Sequence, residues 1–321
     1  MTTYLVTGGA GFIGSHVCDA LLERGEHVVC LDNFTDLLYD PQYKRRNLAQ
    51  AERHPNFTLY EGDIRDLAML RALFQRERPT HVAHFAGMAN PRLSVREPHL
   101  YVEVNVTGTL NVLQCGVESG VQNFVVTSSS TVYGIPQAIP YVETDPTNRP
   151  ISPYGATKKA SELLAHTYHA LHGVPTTVIR PFTVYGPRGR PDMTPHLFVR
   201  AMVRQEPITL FDGGIGVFRD WTFVDDFVSG FVAALDRALP FEVINLGNAT
   251  PLELRHFVQV LAQVTGLEAQ INSQPLPVGE PQRNFADIGK ARALLGYQPT
   301  TTVEQGLAAF WQWYQADGGR R

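Results

Sequence analysis

The amino-acid sequence predicts an α/β protein with a doubly wound parallel (Rossmann) sheet and a smaller C-terminal lobe. Through the first 180 residues, short apolar runs alternate with helical patterns, the order typical of a parallel sheet with helices on both faces. A glycine-rich turn, Gly8-Gly-Ala-Gly11-Phe-Ile-Gly14, joins the first apolar run to the first helical pattern. Beyond Arg180 the alternation stops, and 181–195 is rich in Pro, Gly and Arg.

The elements of the first part are predicted from their periodicity and their ends. Apolar runs predict strands over 4–7, 28–31, 57–61, 81–85, 124–127 and 174–180. Helical patterns predict helices over 12–24, 67–76, 98–117 and 154–172. We expect residues 1–180 to form one domain built on this alternation.

The second part, 181–321, is expected to be mainly a separate, smaller lobe, and no strand–helix unit fits 181–195. Asp225 is the expected N-cap of an apolar helix. Strands are predicted over 208–211 and 243–246, and helices over 197–204, 227–235, 252–265, 290–295 and 303–314. The segment around 222–247 is expected to return to the main sheet, and the end, 318–321, to be disordered.

Composition narrows the class of protein. Apolar residues make up 44% and charged residues 18% of 321 residues, which is typical of a soluble globular chain. The net charge of −4 gives no indication of a nucleic-acid partner, and the cluster Lys44-Arg45-Arg46 is interpreted as a solvated helix face.

No apolar run reaches the roughly 18 residues of a membrane span, so no membrane partner is expected. The three cysteines lack metal spacing, which predicts buried reduced thiols, no metal site and a cytoplasmic location.

The glycine turn predicts a dinucleotide site, because a strand precedes it, a helix follows it, and Asp32 closes the next strand. The glycines permit close approach to a pyrophosphate, which the helix N-terminus then faces. Asp32 can bind both ribose hydroxyls and would repel a 2′-phosphate, so NAD is favoured over NADP. Further candidate cofactor residues lie at or near strand ends. The full set is Gly8, Gly11, Phe12, Ile13, Gly14, Asp32, Asn33, Asp63, Ile64, Phe85, Ala86, Gly87, Asn105, Tyr154, Lys158 and Pro181.

Tyr154 and Lys158 lie four residues apart on a predicted helix and therefore share a face. A neighbouring ammonium favours the phenolate and lowers the pKa of a phenol from about 10. The pair could then act as a general base towards a sugar or alcohol hydroxyl. Ser129, at the end of the preceding strand, can relay the proton. Taken alone, the spacing also fits an exposed helical pair.

With these residues the chain resembles the extended short-chain dehydrogenase/reductase family of nucleotide-sugar enzymes. The resemblance covers essentially the whole sequence. The motifs are Thr7-Gly-Gly-Ala-Gly-Phe-Ile-Gly14, Asp32-Asn33, Gly62-Asp63-Ile64, Ser128-Ser-Ser-Thr-Val-Tyr-Gly134, Tyr154 with Lys158, Arg180-Pro-Phe-Thr-Val-Tyr-Gly186 and Arg219-Asp-Trp-Thr-Phe-Val-Asp-Asp226. It implies catalytic roles for Ser129, Tyr154, Lys158 and Thr131, and a buried Asn105 near the cofactor. It also implies a homodimer through the helices that hold Asn105 and Tyr154.

Within that family, Gly186-Pro-Arg-Gly-Arg-Pro-Asp-Met193 resembles the corresponding loop of UDP-glucuronate 4-epimerases. The implied activity is NAD-dependent 4-epimerisation of a UDP-sugar through a transient 4-keto intermediate. Arg190 is the expected contact for the sugar carboxylate, with Arg188 as the alternative, and a surface pair between Arg190 and Asp192 is the competing interpretation. The expected substrate-binding residues are Arg92, Thr131, Thr183, Arg190, Arg219 and Arg283.

The sequence departs from the family pattern at Pro181, where an aromatic residue is expected, and at Met88-Ala-Asn-Pro91. Four alternatives stay open. A UDP-glucose/UDP-galactose 4-epimerase shares the machinery, and so does a UDP-glucuronate decarboxylase, which usually carries an acid where Thr131 stands. A 4,6-dehydratase would need an Asp-Glu pair in place of Ser130-Thr131. A catalytically idle NAD-binding scaffold would not need Ser129, Tyr154 and Lys158.

Overall fold

The chain folds around parallel strands connected by helices. The structure is a computed structural model that describes residues 2–135, 138–276 and 282–318. Its strands are β1 (Thr3–Thr7), β2 (His27–Asp32), β3 (Phe57–Glu61), β4 (His81–His84), β5 (Asn123–Thr127), β6 (Thr176–Pro181), β7 (Thr183–Tyr185), β8 (Ile208–Phe211), β9 (Phe218–Phe223), β10 (Phe241–Leu246), β11 (Pro251–Glu253), β12 (Ile271–Gln274) and β13 (Arg283–Asn284). Its α-helices are α1 (Phe12–Glu23), α2 (Gln42–Leu48), α3 (Leu67–Glu77), α4 (Pro91–Arg96), α5 (Pro98–Tyr101), α6 (Thr109–Glu118), α7 (Pro153–His172), α8 (Thr194–Val203), α9 (Val224–Arg237), α10 (Leu254–Thr265), α11 (Gly289–Leu295) and α12 (Val303–Trp313).

The central sheet has seven strands in the order β10-β6-β5-β4-β1-β2-β3. Every neighbouring pair in it is parallel. From β1 the strands β2 and β3 follow on one side, and from β4 the strands β5, β6 and β10 follow on the other. The topological switch point of the sheet therefore lies between β1 and β4. The predicted doubly wound sheet is therefore confirmed. From the later chain, β10 adds to this sheet beside β6.

Side chains of the central strands point alternately to the two faces of the sheet, as the pleat requires. On β1, Leu5 packs into one core and Val6 into the other, and both are fully buried. Helix α9 covers one face, where Phe231 lies 4.3 Å from Phe85, centroid to centroid. Asn123 donates hydrogen bonds to the carbonyls at the end of α9. The carboxyl ends of the strands form the open edge of the sheet, which we call the rim.

The later chain adds two smaller sheets, one in which β9 pairs with β7, β11 and β13 and one of β8 with β12. Two expectations are wrong here. The stretch 181–195 does contain a strand, β7, which pairs with β9 instead of the main sheet. Asp225 is not an N-cap, because β9 runs directly into α9 and the helix begins at Val224. The division into two lobes at residue 180 stays a prediction.

The predicted long helix over 98–117 is interrupted by a wider, π-helical turn at Val102–Gly108. Such turns often occur at functional sites, and this one carries Asn105. Of the chain end expected to be disordered, 318–321, residues 319–321 lie outside the described residues, and Gly318 ends a π-helical turn over Tyr314–Gly318. No helix in the described part of the chain has both the length and the apolar character to cross a membrane.

Candidate active site

Helix α7 presents three buried polar side chains to the end of the central sheet. It begins at Pro153, where the Ser152 hydroxyl accepts a hydrogen bond from the Gly155 amide, 3.1 Å away. Tyr154, Lys158 and Glu162 follow at intervals of four residues, and their exposed fractions are 9%, 7% and 3%. Their common face, expected from the spacing, is therefore turned inward, and the interpretation of an exposed helical pair is wrong.

The last residue of β5 and the two after it each face one of these side chains. The Lys158 ammonium donates to the Thr127 carbonyl at 2.8 Å. The Ser128 hydroxyl donates to Glu162 at 2.6 Å, and the Ser129 hydroxyl acts to lower the pKa of the Tyr154 phenol. Three consecutive residues thus face three different turns of the helix, which fixes the strand end against the helix.

Ser129 also accepts two hydrogen bonds from Thr131, one from its amide at 3.2 Å and one from its hydroxyl at 2.9 Å. Because its oxygen accepts from Thr131, the Ser129 hydroxyl keeps its own proton for another acceptor. The structure brings Ser129, Thr131, Tyr154 and Lys158 together at the end of β5. The group consists of two hydroxyls, a phenol and an ammonium.

The pKa of Tyr154 is raised by burial, which the Ser129 hydroxyl and the charge of Arg190 only partly oppose. The Lys158 ammonium is turned to the Thr127 carbonyl. Burial lowers the pKa of Lys158 to about 8, against the opposing effect of Glu162. The charge of Arg190 acts to lower the pKa of the phenol.

The glycine turn is packed too tightly to accept side chains. Gly8 has a φ of +69°, and a Cβ there would lie 2.6 Å from the Ala86 amide nitrogen. A Cβ on Gly14 would lie 2.4 Å from the Gly8 carbonyl oxygen. Helix α1 begins at Phe12 without a side-chain cap, so its first amides can donate to an anion. This cradle fits the pyrophosphate of a dinucleotide.

Asp32 lies beside the turn and is 5% exposed. Its carboxylate accepts hydrogen bonds from the Ala10 and Phe34 amides and forms an ion pair of 2.9 Å with Lys44. The interpretation of Lys44 as a solvated lysine is wrong, since its side chain is only 11% exposed. Leu48 lies four residues after Lys44 and is fully buried. This spacing is the signal that could have identified the inward face of α2.

Two predicted cofactor residues, Asn33 and Asp63, contact each other at the ends of β2 and β3, with the Asn33 amide donating at 2.9 Å. Burial acts to raise the pKa of Asp63, but hydrogen bonds from Arg65 and Asn33 outweigh it and lower the pKa to about 2. Asp63 is therefore a fixed carboxylate. Ile64, which follows it, is buried.

The buried Asn105 links the rim to α7. Its side chain accepts from the Met88 amide at 2.7 Å and donates to the Met88 carbonyl and the Thr157 hydroxyl, both at 3.0 Å. Phe85, Ala86 and Gly87 follow β4 beside this contact, and Pro181 ends β6. Hence these rim positions lie at neighbouring strand ends, as the topology predicts.

Arg190 forms a bidentate pair with Asp192, from Nε at 2.9 Å and from Nη2 at 2.8 Å. The two side chains are 19% and 22% exposed. The predicted pair with Asp192 therefore exists, but it lies mostly buried and not on the surface. The contact of Arg190 with a sugar carboxylate stays a prediction. Arg188, the alternative, is instead paired with Asp19 on α1 at 2.6 Å.

The remaining substrate candidates lie on two other parts of the surface. Arg219 on β9 and Arg283 on β13 occupy paired strands, and the Arg283 guanidinium lies 4.9 Å from the centroid of the Phe218 ring. Thr183 opens β7 opposite Trp221, and Arg92 is exposed near the start of α4. The structure brings Arg219 and Arg283 together but gives Arg92 no contact with the catalytic group.

Sequence reasoning missed a buried network beneath the catalytic residues. Arg180 binds Glu162 bidentately, with both hydrogen bonds at 2.8 Å. It also donates to the Tyr133 hydroxyl, which donates to Asn245 on β10. Both charged partners are 3% exposed. The position of Glu162, one helical turn after Lys158, was the available signal.

Comparisons with known proteins show what the whole chain is similar to. The sequence profile of the family described as GDP-mannose 4,6 dehydratase matches residues 5–310. UDP-glucuronate 4-epimerase 3 of Arabidopsis thaliana is 41% identical over 99% of this chain and 78% of its own length. UDP-glucuronate 4-epimerase of Thermodesulfobacterium geofontis (strain OPF15) is 38% identical over 98% and 96%.

Solved structures show the same likeness. UDP-glucuronic acid 4-epimerase from Bacillus cereus, in complex with UDP-glucuronic acid and NAD, superposes with a TM-score of 0.91 at 35% identity, covering 98% of this chain and 99% of that one. UDP-glucose 4-epimerase from Thermotoga maritima, with UDP-glucose, gives 0.85 at 31% identity over 98% and 99%. The chain therefore belongs to the GDP-mannose 4,6 dehydratase family, within the extended short-chain dehydrogenases/reductases that its motifs indicated.

Proposed function

We propose that the protein is an NAD-dependent isomerase that converts UDP-glucuronate to UDP-galacturonate by 4-epimerisation through a transient 4-keto intermediate. The observation that carries the proposal is the mostly buried Arg190 guanidinium, which is paired with Asp192 and whose charge acts to lower the pKa of Tyr154. A cation beside a general base suits a sugar that carries a carboxylate next to its reacting hydroxyl. The relatives named UDP-glucuronate 4-epimerase support this substrate.

Tyr154 is assigned as the base that removes the proton of the sugar 4-hydroxyl, with Ser129 in the relay and Thr131 holding the Ser129 oxygen. The same phenol returns the proton when the opposite configuration at C4 forms. Lys158 would bind the nicotinamide ribose from its buried position. Burial of the base keeps water away from the reacting hydroxyl, since Tyr154 is 9% exposed.

NAD is the cofactor that the rim residues fit. The amides of Phe12 and Ile13 would hold its pyrophosphate above the glycine turn, and Asp32 its adenosine ribose. When bound, NAD supplies a reversible acceptor for the hydride at C4, so no net oxidation occurs. The other cofactor residues are assigned to line its two ends: Asn33, Asp63, Ile64, Phe85, Ala86, Gly87, Asn105 and Pro181.

The substrate is assigned to the side of the rim formed by the later chain. Arg219 and Arg283 would bind the diphosphate, Arg190 the carboxylate, and Thr131 and Thr183 would add hydroxyl donors. Arg92 is a weaker candidate, because it is exposed on α4. A neutral-sugar epimerase has no use for a guanidinium beside the base, and Arg190 therefore favours UDP-glucuronate over UDP-glucose.

The oligomeric state is proposed to be a homodimer through α7 and the π-helical turn. These elements and α4 expose large apolar side chains, namely Leu163 at 58%, Val102 at 48% and Val95 at 67%. Light scattering should give twice the chain mass, and Leu163→Glu should give a monomer. A monomeric wild-type protein would contradict the proposal. A cytoplasmic location is also proposed, because all three cysteines are buried free thiols.

The activity is tested by incubating the protein with a panel of UDP-sugars and separating the products by chromatography. UDP-glucuronate should be converted to UDP-galacturonate with no added reductant. UDP-glucose should be converted far more slowly, because its neutral sugar cannot bind Arg190. A preference for UDP-glucose would instead support the neutral-sugar epimerase, and UDP-xylose as the main product would support the decarboxylase.

A further inference from the structure

The loop over 186–193 is held by two arginine–aspartate pairs that differ in their surroundings. Arg188 reaches away from the site to Asp19 on α1. Arg190 reaches into the site, where burial raises the pKa of Tyr39, Tyr101 and Tyr154 and the charge of Arg190 opposes that rise in all three. The two pairs thus have the same chemistry, but only one of them faces the reacting centre.

Asp192 binds one defined edge of the Arg190 guanidinium. Its two carboxylate oxygens accept from Nε and from one hydrogen of Nη2. A guanidinium has five N–H donors, so three remain. The Nη1 group and the second hydrogen of Nη2 form the other bidentate edge, which can bind a second carboxylate. Asp192 therefore decides which edge of Arg190 is free.

Asp192 is itself tied to the segment Met88-Ala-Asn-Pro91, which departs from the family pattern. The Asn90 side chain donates to Asp192 at 3.4 Å. Asn90 has a φ of +80° and caps α4, and its carbonyl accepts from the Tyr101 hydroxyl at 2.8 Å. The Tyr101 ring meets the Tyr154 ring edge-on, with centroids 6.2 Å apart. Packing and hydrogen bonds thus connect Asp192 to the base.

We propose that Asp192 is a positioning residue that fixes the free edge of Arg190 towards the substrate carboxylate and thereby limits loss of carbon dioxide during the reaction. The inference rests on the proposed UDP-glucuronate epimerase function. It goes beyond that function, because Asp192 does not need to touch the substrate. The Asp192 carboxylate also balances the buried charge of Arg190 before a sugar binds.

The side reaction has a defined chemistry. In the 4-keto sugar the C5–C6 bond is β to the ketone, so it can break to release carbon dioxide. The electron pair of that bond becomes the enolate of the 4-ketone, which takes a proton at C5, and return of the hydride to C4 gives a UDP-pentose. The bond breaks fastest when it lies parallel to the carbonyl π orbitals. A guanidinium edge with a fixed direction holds the carboxylate away from that alignment.

The test is the ratio of UDP-pentose to UDP-galacturonate formed from UDP-glucuronate. This ratio is counted per turnover, so a smaller folded fraction does not change it. We expect Asp192→Asn to raise it by about tenfold or more, the scale of a lost hydrogen bond to a charged group. Asp192→Glu keeps the negative charge but shifts the free edge of Arg190, so it should raise the ratio less than Asp192→Asn does. Asp19→Asn removes the matched pair with Arg188 and should leave the ratio at the wild-type value.

The outcomes separate this inference from the proposed function. If the wild-type protein forms no UDP-galacturonate, the proposed function fails and the inference falls with it. If the wild-type protein forms UDP-galacturonate, and the ratio is unchanged in Asp192→Asn, only the inference is overturned. An equal rise in Asp19→Asn would also overturn it, because the effect would then come from general loosening of the loop.

Discussion

Ser128 donates a hydrogen bond of 2.6 Å to Glu162, next to the contact that holds Lys158. Because Ser128 precedes Ser129, the position of the relay hydroxyl depends on a carboxylate two helical turns from the base. That carboxylate is fixed in turn by Arg180. The catalytic geometry therefore rests on a buried ion pair that binds no substrate.

The first prediction concerns the pH dependence of Glu162→Gln. Burial lowers the pKa of Lys158 to about 8, and the Glu162 charge acts to raise it. In the wild type, NAD affinity should fall as pH rises through about 8, because the Lys158 ammonium that is assigned to the nicotinamide ribose loses its proton. Without the Glu162 charge the pKa of Lys158 should be lower still, so the fall should begin at a lower pH. Glu143→Gln serves as the control. It alters a different carboxyl, which accepts a hydrogen bond from the Asn245 backbone amide, and should leave the pH profile unchanged. An identical profile in Glu162→Gln would contradict the argument.

The second prediction concerns stability. Arg180→Met leaves Glu162 buried without its bidentate partner, which should lower the free energy of unfolding by roughly 3 kcal/mol, the usual cost of breaking a buried pair. Arg24→Met breaks the pair with Asp236, whose side chains are 38% and 43% exposed, and should cost less than about 1 kcal/mol. Urea unfolding measures both. Equal losses in the two variants would mean that the buried pair has no special role.

The third prediction concerns cofactor choice. NAD should bind better than NADP, because Asp32 opposes a 2′-phosphate. Asp32→Ala should reverse part of that preference, since Lys44 loses its ion pair and becomes free to bind the phosphate. The double variant Asp32→Ala with Lys44→Met should weaken NAD without gaining NADP. Calorimetry measures each affinity, and a single variant that gains nothing towards NADP would exclude this role for Lys44.

The fourth prediction concerns the base. Tyr154→Phe keeps the ring that packs against Tyr101 and removes the phenol, so folding and NAD binding should persist. Turnover of UDP-glucuronate should fall about 100-fold or more, the scale of a lost acid–base group. Tyr168→Phe, on the same helix, serves as the control and should turn over normally. Turnover of Tyr154→Phe within about threefold of wild type would remove the phenol from the mechanism.

The sequence predicted the parts of the site that depend on local pattern. Period and strand ends were sufficient for the central sheet, and the spacing of Tyr154 and Lys158 predicts one shared face, which the structure buries. The N-cap predicted at Asp225 is wrong because a strand that runs straight into a helix leaves no loop residue as a signal. The direction of the Lys158 ammonium could not be predicted, because it depends on the Thr127 carbonyl of another element. The pairs of Lys44 with Asp32 and Arg180 with Glu162 join residues 12 and 18 positions apart, which periodicity alone does not connect.

The central claim is that the configuration at C4 is inverted while its hydrogen stays within the site. The direct test is incubation with UDP-glucuronate carrying deuterium at C4, followed by NMR and mass analysis of the product. We expect UDP-galacturonate that retains the deuterium at C4, with none exchanged into solvent. Product that has lost the deuterium to water, or a product inverted at a carbon other than C4, would contradict it.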